Sequence, residues 1–347
     1  MSLPIPAKPE ISSLLHRPLV LDYYSMKKTI FTAIRITVSI ALILVLLYIM
    51  RDKYGQILAV LKGTDPVLFG LAAFVYMGAL IVASVRLRLI AKVQAISITF
   101  PEAASLTYIG YFFNNFLPTA IGGDIVKAFY LSKKTADRTS AYTSVFIDRA
   151  IGLITMIFMA FVALFFVGTG IVDASVRNII YAITALSAVS VVILSNANIA
   201  RRFSGVLKFL GPLEKQLVKA YYAIHSYRHH TLLMIKAFTI SILSQLLFFA
   251  TMGILALSIG ARISTLNILL RMPVVGMMSL LPSINGLGVR EGSTVLVFSP
   301  LIGKANAFAV SILVVATLLI MSIIGGLVYA LSPQFKIKLK EINEEAA

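Results

Sequence analysis

Cysteine is absent from the 347 residues, which excludes disulfides and thiolate metal sites and leaves no clue to redox compartment. Tryptophan is absent too, so the 14 tyrosines must supply most of any interfacial aromatic belt. Charge is scarce at 13%, against about 25% in an average soluble domain. Acidic residues are scarcest, with 14 Asp+Glu against 31 Lys+Arg. No Walker-type G-x-x-x-x-G-K-[ST], no H-E-x-x-H and no Ser/His/Asp arrangement occurs, so the sequence carries no signature of an ATP-driven pump, a zincin or a triad hydrolase. No long Ser/Pro/Gly tract suggests a second, soluble domain.

Apolar residues make up 59% of the chain, and mean hydropathy is +0.93. These values predict an integral, multi-pass, all-α membrane protein. The formal charge of +17 then reads as loop charge held on the cytoplasmic side, in contact with anionic headgroups, and not as a nucleic-acid surface. A polar lead of about 28 residues precedes an apolar run too long for a signal-peptide core, which predicts an anchor.

Stretches of about 20 apolar residues give full spans at 29–50, 66–85, 141–168, 177–197, 237–260 and 305–332. Two further apolar regions are broken. Residues 103–123 carry Asn114, Asn115, Pro118, Gly122 and Gly123, and 266–303 carry Arg271, Pro273, Pro282, three glycines and Arg290–Glu291. Basic residues cluster at 17–28, 86–92 (Arg86, Arg88, Lys92), 127–138, 200–236 and 336–340, which assigns all five segments to the cytoplasm; 168–176 has none and reads as outside. Both broken regions must then leave on the face they entered. The expectation is six full spans plus two re-entrant helical hairpins, eight membrane segments in an inverted-topology repeat, with halves at about 29–170 and 171–335. Residues 1–28 and 336–347 become cytoplasmic extensions of this single domain, placing both termini inside a cell (inner) membrane. Leu117-Pro118-Thr119-Ala120-Ile121-Gly122 can be laid on Leu281-Pro282-Ser283-Ile284-Asn285-Gly286, and Lys127 and Arg290 follow at similar distances. A homo-oligomer is compatible with such a chain.

The breaks suggest chemistry. Pro118 ends one helix, Gly122–Gly123 permit a sharp turn, and Asp124 is placed to cap a helix over 125–133. In the second hairpin, Ser283 or Asn285 is placed to cap a helix from near Val289. A helix N-terminus with Lys127 or Arg290 beside it suits a phosphate. Asp148–Arg149 lies about 15 Å along the helix that begins near Thr139. The pair either snorkels or forms a structural ion pair, or else lines a headgroup path with Lys127 and Glu291. His225 and His229 read as part of a polar amphipathic helix rather than a metal site, and Gly288-x-x-x-Gly292 as close helix packing. Ser241, Ser244 and Gln245 read as interhelical hydrogen-bonding residues, with cavity lining as the alternative, and Arg35 as a snorkelling residue. No cofactor is expected.

FFNNFLPTAIGGDIVKAFYL, SVFIDRAIGL and PSINGLGVREGS together resemble the lysylphosphatidylglycerol synthase transmembrane family, over about 30–335. The resemblance implies a bundle with re-entrant helices that moves a lipid or lipid-linked molecule between leaflets. Its matching positions are Asn115, Pro118, Gly122, Gly123, Asp124, Lys127, Asp148, Arg149, Asn285, Gly286, Gly288, Arg290, Glu291 and Gly292. No aminoacyl-transfer domain is recognisable, so aminoacylation is not expected. The reading is a flippase or scramblase for an anionic or phosphate-bearing lipid, not an enzyme. Alternatives are a polyprenyl-phosphate-dependent membrane glycosyltransferase with Asp124, Asp148 or Glu291 as base, a small-solute secondary transporter, or an assembly subunit.

Overall fold

The structure, a computed structural model, describes residues 51–116, 122–167, 174–195, 225–279 and 286–332, with a few single positions beyond them. The expected first span at 29–50, Arg35, most of the polar segment from 200, and both connectors carrying Pro118 and Asn285 lie outside the described residues.

Ten α-helices are described and no strand is found among these residues. We number them α1 (Tyr54–Lys62), α2 (Pro66–Val93), α3 (Phe100–Phe116), α4 (Gly122–Ser132), α5 (Arg138–Val167), α6 (Ala174–Ser195), α7 (Thr231–Ser258), α8 (Thr265–Met278), α9 (Val289–Ile302) and α10 (Lys304–Leu331). Four of them, α2, α5, α7 and α10, are long and apolar enough to cross a membrane. Large apolar side chains such as Phe74, Phe165, Leu243 and Leu327 stay exposed along them, as expected where the solvent is hydrocarbon.

Local chemistry sets several of the starts. The Asp65 carboxylate accepts from the Val67 and Leu68 amides at 2.8 and 3.1 Å, and Pro66 takes the first helical position, where no amide hydrogen is needed. Ser264 caps α8 by accepting from Asn267 N.

At the centre, α2 and α7 lie antiparallel. Asp65 N donates to Ser258 O, Ser244 Oγ to Ala79 O at 2.9 Å, and Gln94 Nε2 to Ser226 Oγ at 2.9 Å. Two shorter antiparallel pairs flank this axis. In the first, Lys134 meets Glu102, Gly110 abuts Gly123, and Asn114 Oδ1 accepts from Gly123 N at 2.7 Å, joining α3 to α4. In the second, Arg271 Nη1 donates to Val297 O at 2.7 Å, joining α8 to α9. Each pair also packs across the molecule: α3 lies on α10, and α8 lies on α5. The largest apolar cluster gathers residues from α2, α5, α6, α7, α8, α9 and α10.

Several expectations are corrected. The second span does not end at 85. With no breaker between Asp65 and Gln94, the helix runs to Val93, and Arg86 lies buried inside it instead of in a cytoplasmic loop. The polar segment expected to reach 236 gives way to α7 at Thr231, and His229 and His230 sit in a short 3-10 turn, Tyr227–His230, ahead of it. No cluster of three potential metal ligands occurs among the described residues. A Cβ built on Gly292 meets nothing within 4 Å, so close helix packing is not its role.

Candidate functional site

A cavity of about 390 Å³ opens at the centre, where the two hairpins face the long helices. Its polar lining includes Asn114 and Asn115 from α3, Asp124 and Lys127 from α4, Asp148 and Arg149 from α5, and Arg290 from α9. Seven residues singled out from sequence, 176 positions apart at the extremes, therefore share one space. Gly152, Ser244 and Gln245 line it too, and the last two also make the expected interhelical hydrogen bonds, Ser244 Oγ donating to Ala79 O at 2.9 Å and Gln245 Nε2 to Gly152 O at 3.1 Å.

Packing brings the charges in. Gly110 and Gly123 touch where α3 and α4 meet, and a side chain at Gly123 would collide with the Gly110 carbonyl. A Cβ at Gly110 would also strike the Lys127 side chain, so this glycine leaves the channel through which that lysine reaches Asp124. Lys127 Nζ lies 3.1 Å from Asp124 Oδ1, and Arg149 Nη1 binds the other oxygen, Oδ2. Asp124 thus sits between two cations. It does not cap its helix, which begins two residues earlier at Gly122.

Asp148 has a different partner. Arg86 Nε donates to Asp148 Oδ1 at 2.7 Å, and Arg86 Nη1 donates to Ser241 Oγ at 2.8 Å. The neighbouring Asp148 and Arg149 were expected to act as one unit. On a helix, however, successive residues point about 100° apart, so the aspartate reaches α2 and the arginine reaches α4. Arg86 was missed because its position was read as loop. The available signal was the resumption of apolar residues (Leu87, Leu89, Ile90) after it.

In the second hairpin, Gly286 and Gly288 adopt φ of +77° and +80°, a region that glycine enters without steric penalty. Gly288 is the N-cap of α9, and Glu291 Oε2 accepts from its amide at 2.5 Å. The carboxylate also takes Arg290, with Nη2 to Oε1 at 2.9 Å. Glu291 is therefore a capping and pairing residue and is not among the cavity-lining side chains, contrary to the expected path. The cap assigned to Ser283 or Asn285 belongs to Gly288. Gly122, Gly123, Gly286 and Gly288 shape the hairpins without lining the cavity.

Arg86, Lys127, Arg149 and Arg290 line the cavity against two carboxylates, Asp124 and Asp148, an excess of two positive charges (4 − 2). The remaining wall is apolar and aromatic: Tyr76, Phe248, Met252, Met272, Val314 and Leu318, shared with a smaller pocket that continues to Leu255 and Thr317. The Tyr76 and Tyr111 hydroxyls are hydrogen-bonded at 2.9 Å. No sequence signal singled out these tyrosines or the methionines. The space is amphipathic.

A protein-family model described as "Lysylphosphatidylglycerol synthase TM region" matches residues 33–326. The chain is also 30% identical, over 148 residues, to a UPF0104 membrane protein of Methanocaldococcus jannaschii, a match covering 42% of this chain and 43% of that protein. The chain thus spans under half the length of that curated relative. No solved structure matches it.

Proposed function

The chain belongs to the family of lysylphosphatidylglycerol synthase transmembrane regions, and from that membership and the central cavity we propose that it moves an anionic or phosphate-bearing lipid, or lipid-linked molecule, between membrane leaflets. The observation that carries the reading is the excess of cations on one wall of a cavity whose other wall is apolar. A phosphate would dock among Lys127, Arg149 and Arg290 as charge-assisted hydrogen-bond acceptor. The first carbons of its chain would lie against Met252, Met272 and Leu318, and the rest would stay in the bilayer.

An inverted repeat supplies the alternating access. Its support is the packing pattern. Exchanging α2 with α7, α3 with α8, α4 with α9 and α5 with α10 turns each packing pair into another one that occurs: α3 on α10 becomes α8 on α5, and α4 on α5 becomes α9 on α10. The hairpin helices have 17, 11, 14 and 14 residues. At 1.5 Å per residue the longest reaches about 26 Å, short of the ~30 Å hydrocarbon core, which favours re-entry over crossing. The basic clusters support cytoplasmic termini. A transferase would need Asp124, Asp148 or Glu291 as base. Each already holds a cation, and Glu291 holds an amide as well.

The test is a leaflet-accessibility assay on the purified chain in liposomes containing a fluorescent anionic phospholipid. Transfer above protein-free vesicles is expected. Lys127→Gln and Arg290→Gln should each lower it at least tenfold, because a lost charge-assisted hydrogen bond is worth about 1.5–3 kcal/mol, while helix content and elution volume stay unchanged, Asp124 keeping Arg149 and Glu291 keeping the Gly288 amide. Rates equal to empty vesicles across several phospholipids would sink the reading.

A further inference from the structure

We infer that movement of the anionic headgroup is coupled to a proton carried by Asp124, one proton for each monoanionic lipid. The inference rests on the reading of the cavity as a headgroup site and adds its driving force.

The geometry is a competition for cations. The two oxygens of Asp124 are each occupied, Oδ1 by Lys127 Nζ at 3.1 Å and Oδ2 by Arg149 Nη1. The Asp124 side chain is only 18% exposed, so little water stands ready to replace either partner. Lys127 and Arg149 are also cations that face the cavity. A phosphate that binds them takes the partners of Asp124 and sets a second negative charge beside it. Displaced from both of its donors in a poorly solvated site, the Asp124 carboxylate keeps its charge only at high cost, and the group able to accept a proton does so. A diester phosphate cannot, since it has no second ionisation near neutral pH, so the proton goes to Asp124.

The other groups around Asp124 do not offer an equivalent route. From α5, Asp148 is close enough to act on Lys127 through space, but the cation it holds by hydrogen bond is Arg86 of α2 at 2.7 Å, which is neither of the two in question. From α3, Tyr111 and Asn114 face the cavity; the first is engaged with Tyr76 and the second accepts from the Gly123 amide. From α2, Tyr76 binds Tyr111, and from α9, Arg290 is satisfied by Glu291 of its own helix. On α7, Ser244 and Gln245 are uncharged. Among the described residues, Asp124 is the one carboxylate whose two counter-ions are both shared with the expected phosphate site.

The step balances. The Asp124 carboxylate plus one proton from the water at the cavity mouth gives the acid, and the phosphate replaces the carboxylate as partner of Lys127 and Arg149. When the headgroup leaves on the far side, the ion pairs re-form and the proton leaves with it. Monoanion and proton together are neutral, so the cycle moves no net charge. By linkage, lipid raises proton affinity as much as proton raises lipid affinity.

Two measurements on the full chain test this. The first is calorimetric titration in detergent with phosphatidylglycerol, repeated in two buffers of different ionisation enthalpy, which counts protons taken up per lipid. About one is expected for the unaltered chain and about none for Asp124→Asn. The second uses phosphatidylcholine vesicles with fluorescent phosphatidylglycerol and an imposed pH difference. The reporter should accumulate in the leaflet facing the alkaline side, about tenfold per pH unit, unaffected by a potassium-diffusion potential. In Asp124→Asn vesicles the distribution should no longer follow the gradient. Lipid binding without proton uptake, an even distribution despite transfer, or coupling retained by Asp124→Asn would each overturn the coupling while leaving the cargo reading intact. Neither binding nor transfer of any anionic phospholipid would overturn the cargo reading, and the coupling with it.

Discussion

Replacing Arg86 by methionine isolates the electrostatic state of the cavity wall. Arg86 is 8% exposed and Asp148 7%, and the guanidinium donates to Asp148 at 2.7 Å and to Ser241 at 2.8 Å. Methionine keeps most of the volume and removes the charge. The Ser241 hydroxyl can turn to a carbonyl of its own helix, so its loss is small. Asp148 has no such recourse and becomes an uncompensated buried anion, which costs about 3–5 kcal/mol. Were the pair freely hydrated, the loss would be about 0–1 kcal/mol. At roughly 2 °C per kcal/mol, the lower end for chains of this size, Arg86→Met should lower the unfolding midpoint by about 6–10 °C, against under 2 °C for a hydrated pair. The double variant Arg86→Met/Asp148→Leu removes both charges and should recover most of that loss, because apolar replacement of a whole buried pair is neutral or favourable. The assay is thermal unfolding in detergent followed by size-exclusion chromatography. A single-variant shift under 2 °C, or a double variant whose loss equals the sum of the two singles within ~0.5 kcal/mol, would refute the burial argument.

Gly123→Ala should destabilise by about 1–3 kcal/mol, as overpacking does, because its new methyl meets the Gly110 carbonyl; the same melting assay reads it, and a neutral result would mean that α3 and α4 are not in contact there. Glu291→Ala should cost about 1–2 kcal/mol by removing the acceptor of the Gly288 amide and should also weaken lipid transfer, since Arg290 loses the carboxylate that orients it. Glu291→Gln keeps an acceptor for the amide and should recover the stability without fully recovering transfer, a split checked by melting and leaflet assay together.

Much of the architecture was written in composition. The four long helices follow from uninterrupted apolar runs, while Asn114 and Asn115, read from sequence as part of a break, are still helical within α3. A helix is specified by its own residues and their neighbours three or four positions away, and such signals are local. The cap of α9 was assigned to Ser283 or Asn285 instead of Gly288, although Gly288-Val289-Arg290-Glu291 has the spacing of a capping box with only the carboxylate half available. Ion pairing was not legible. Arg86 and Asp148 are 62 positions apart, Asp124 and Arg149 are 25 apart, and both pairs exist only because α2, α4 and α5 converge. The adjacent Asp148 and Arg149 suggested a pair, and helix geometry sent them to different neighbours.

The same convergence explains why a chain so poor in acid spends its carboxylates at its centre. In hydrocarbon an isolated cation on α4 or α5 would be expelled or neutralised. Asp124 and Asp148 hold Lys127, Arg149 and Arg86 in place in the absence of cargo. The two short helix pairs differ here. The first hairpin is tied to α5 by Asp124–Arg149, across elements, whereas Arg290 of the second is tied within its own helix. A headgroup that displaces Asp124 therefore loosens α4 from α5, while one that binds Arg290 leaves the α9 cap intact. If access alternates, the binding energy of the phosphate acts on the first hairpin, and the second serves as the fixed side of the site.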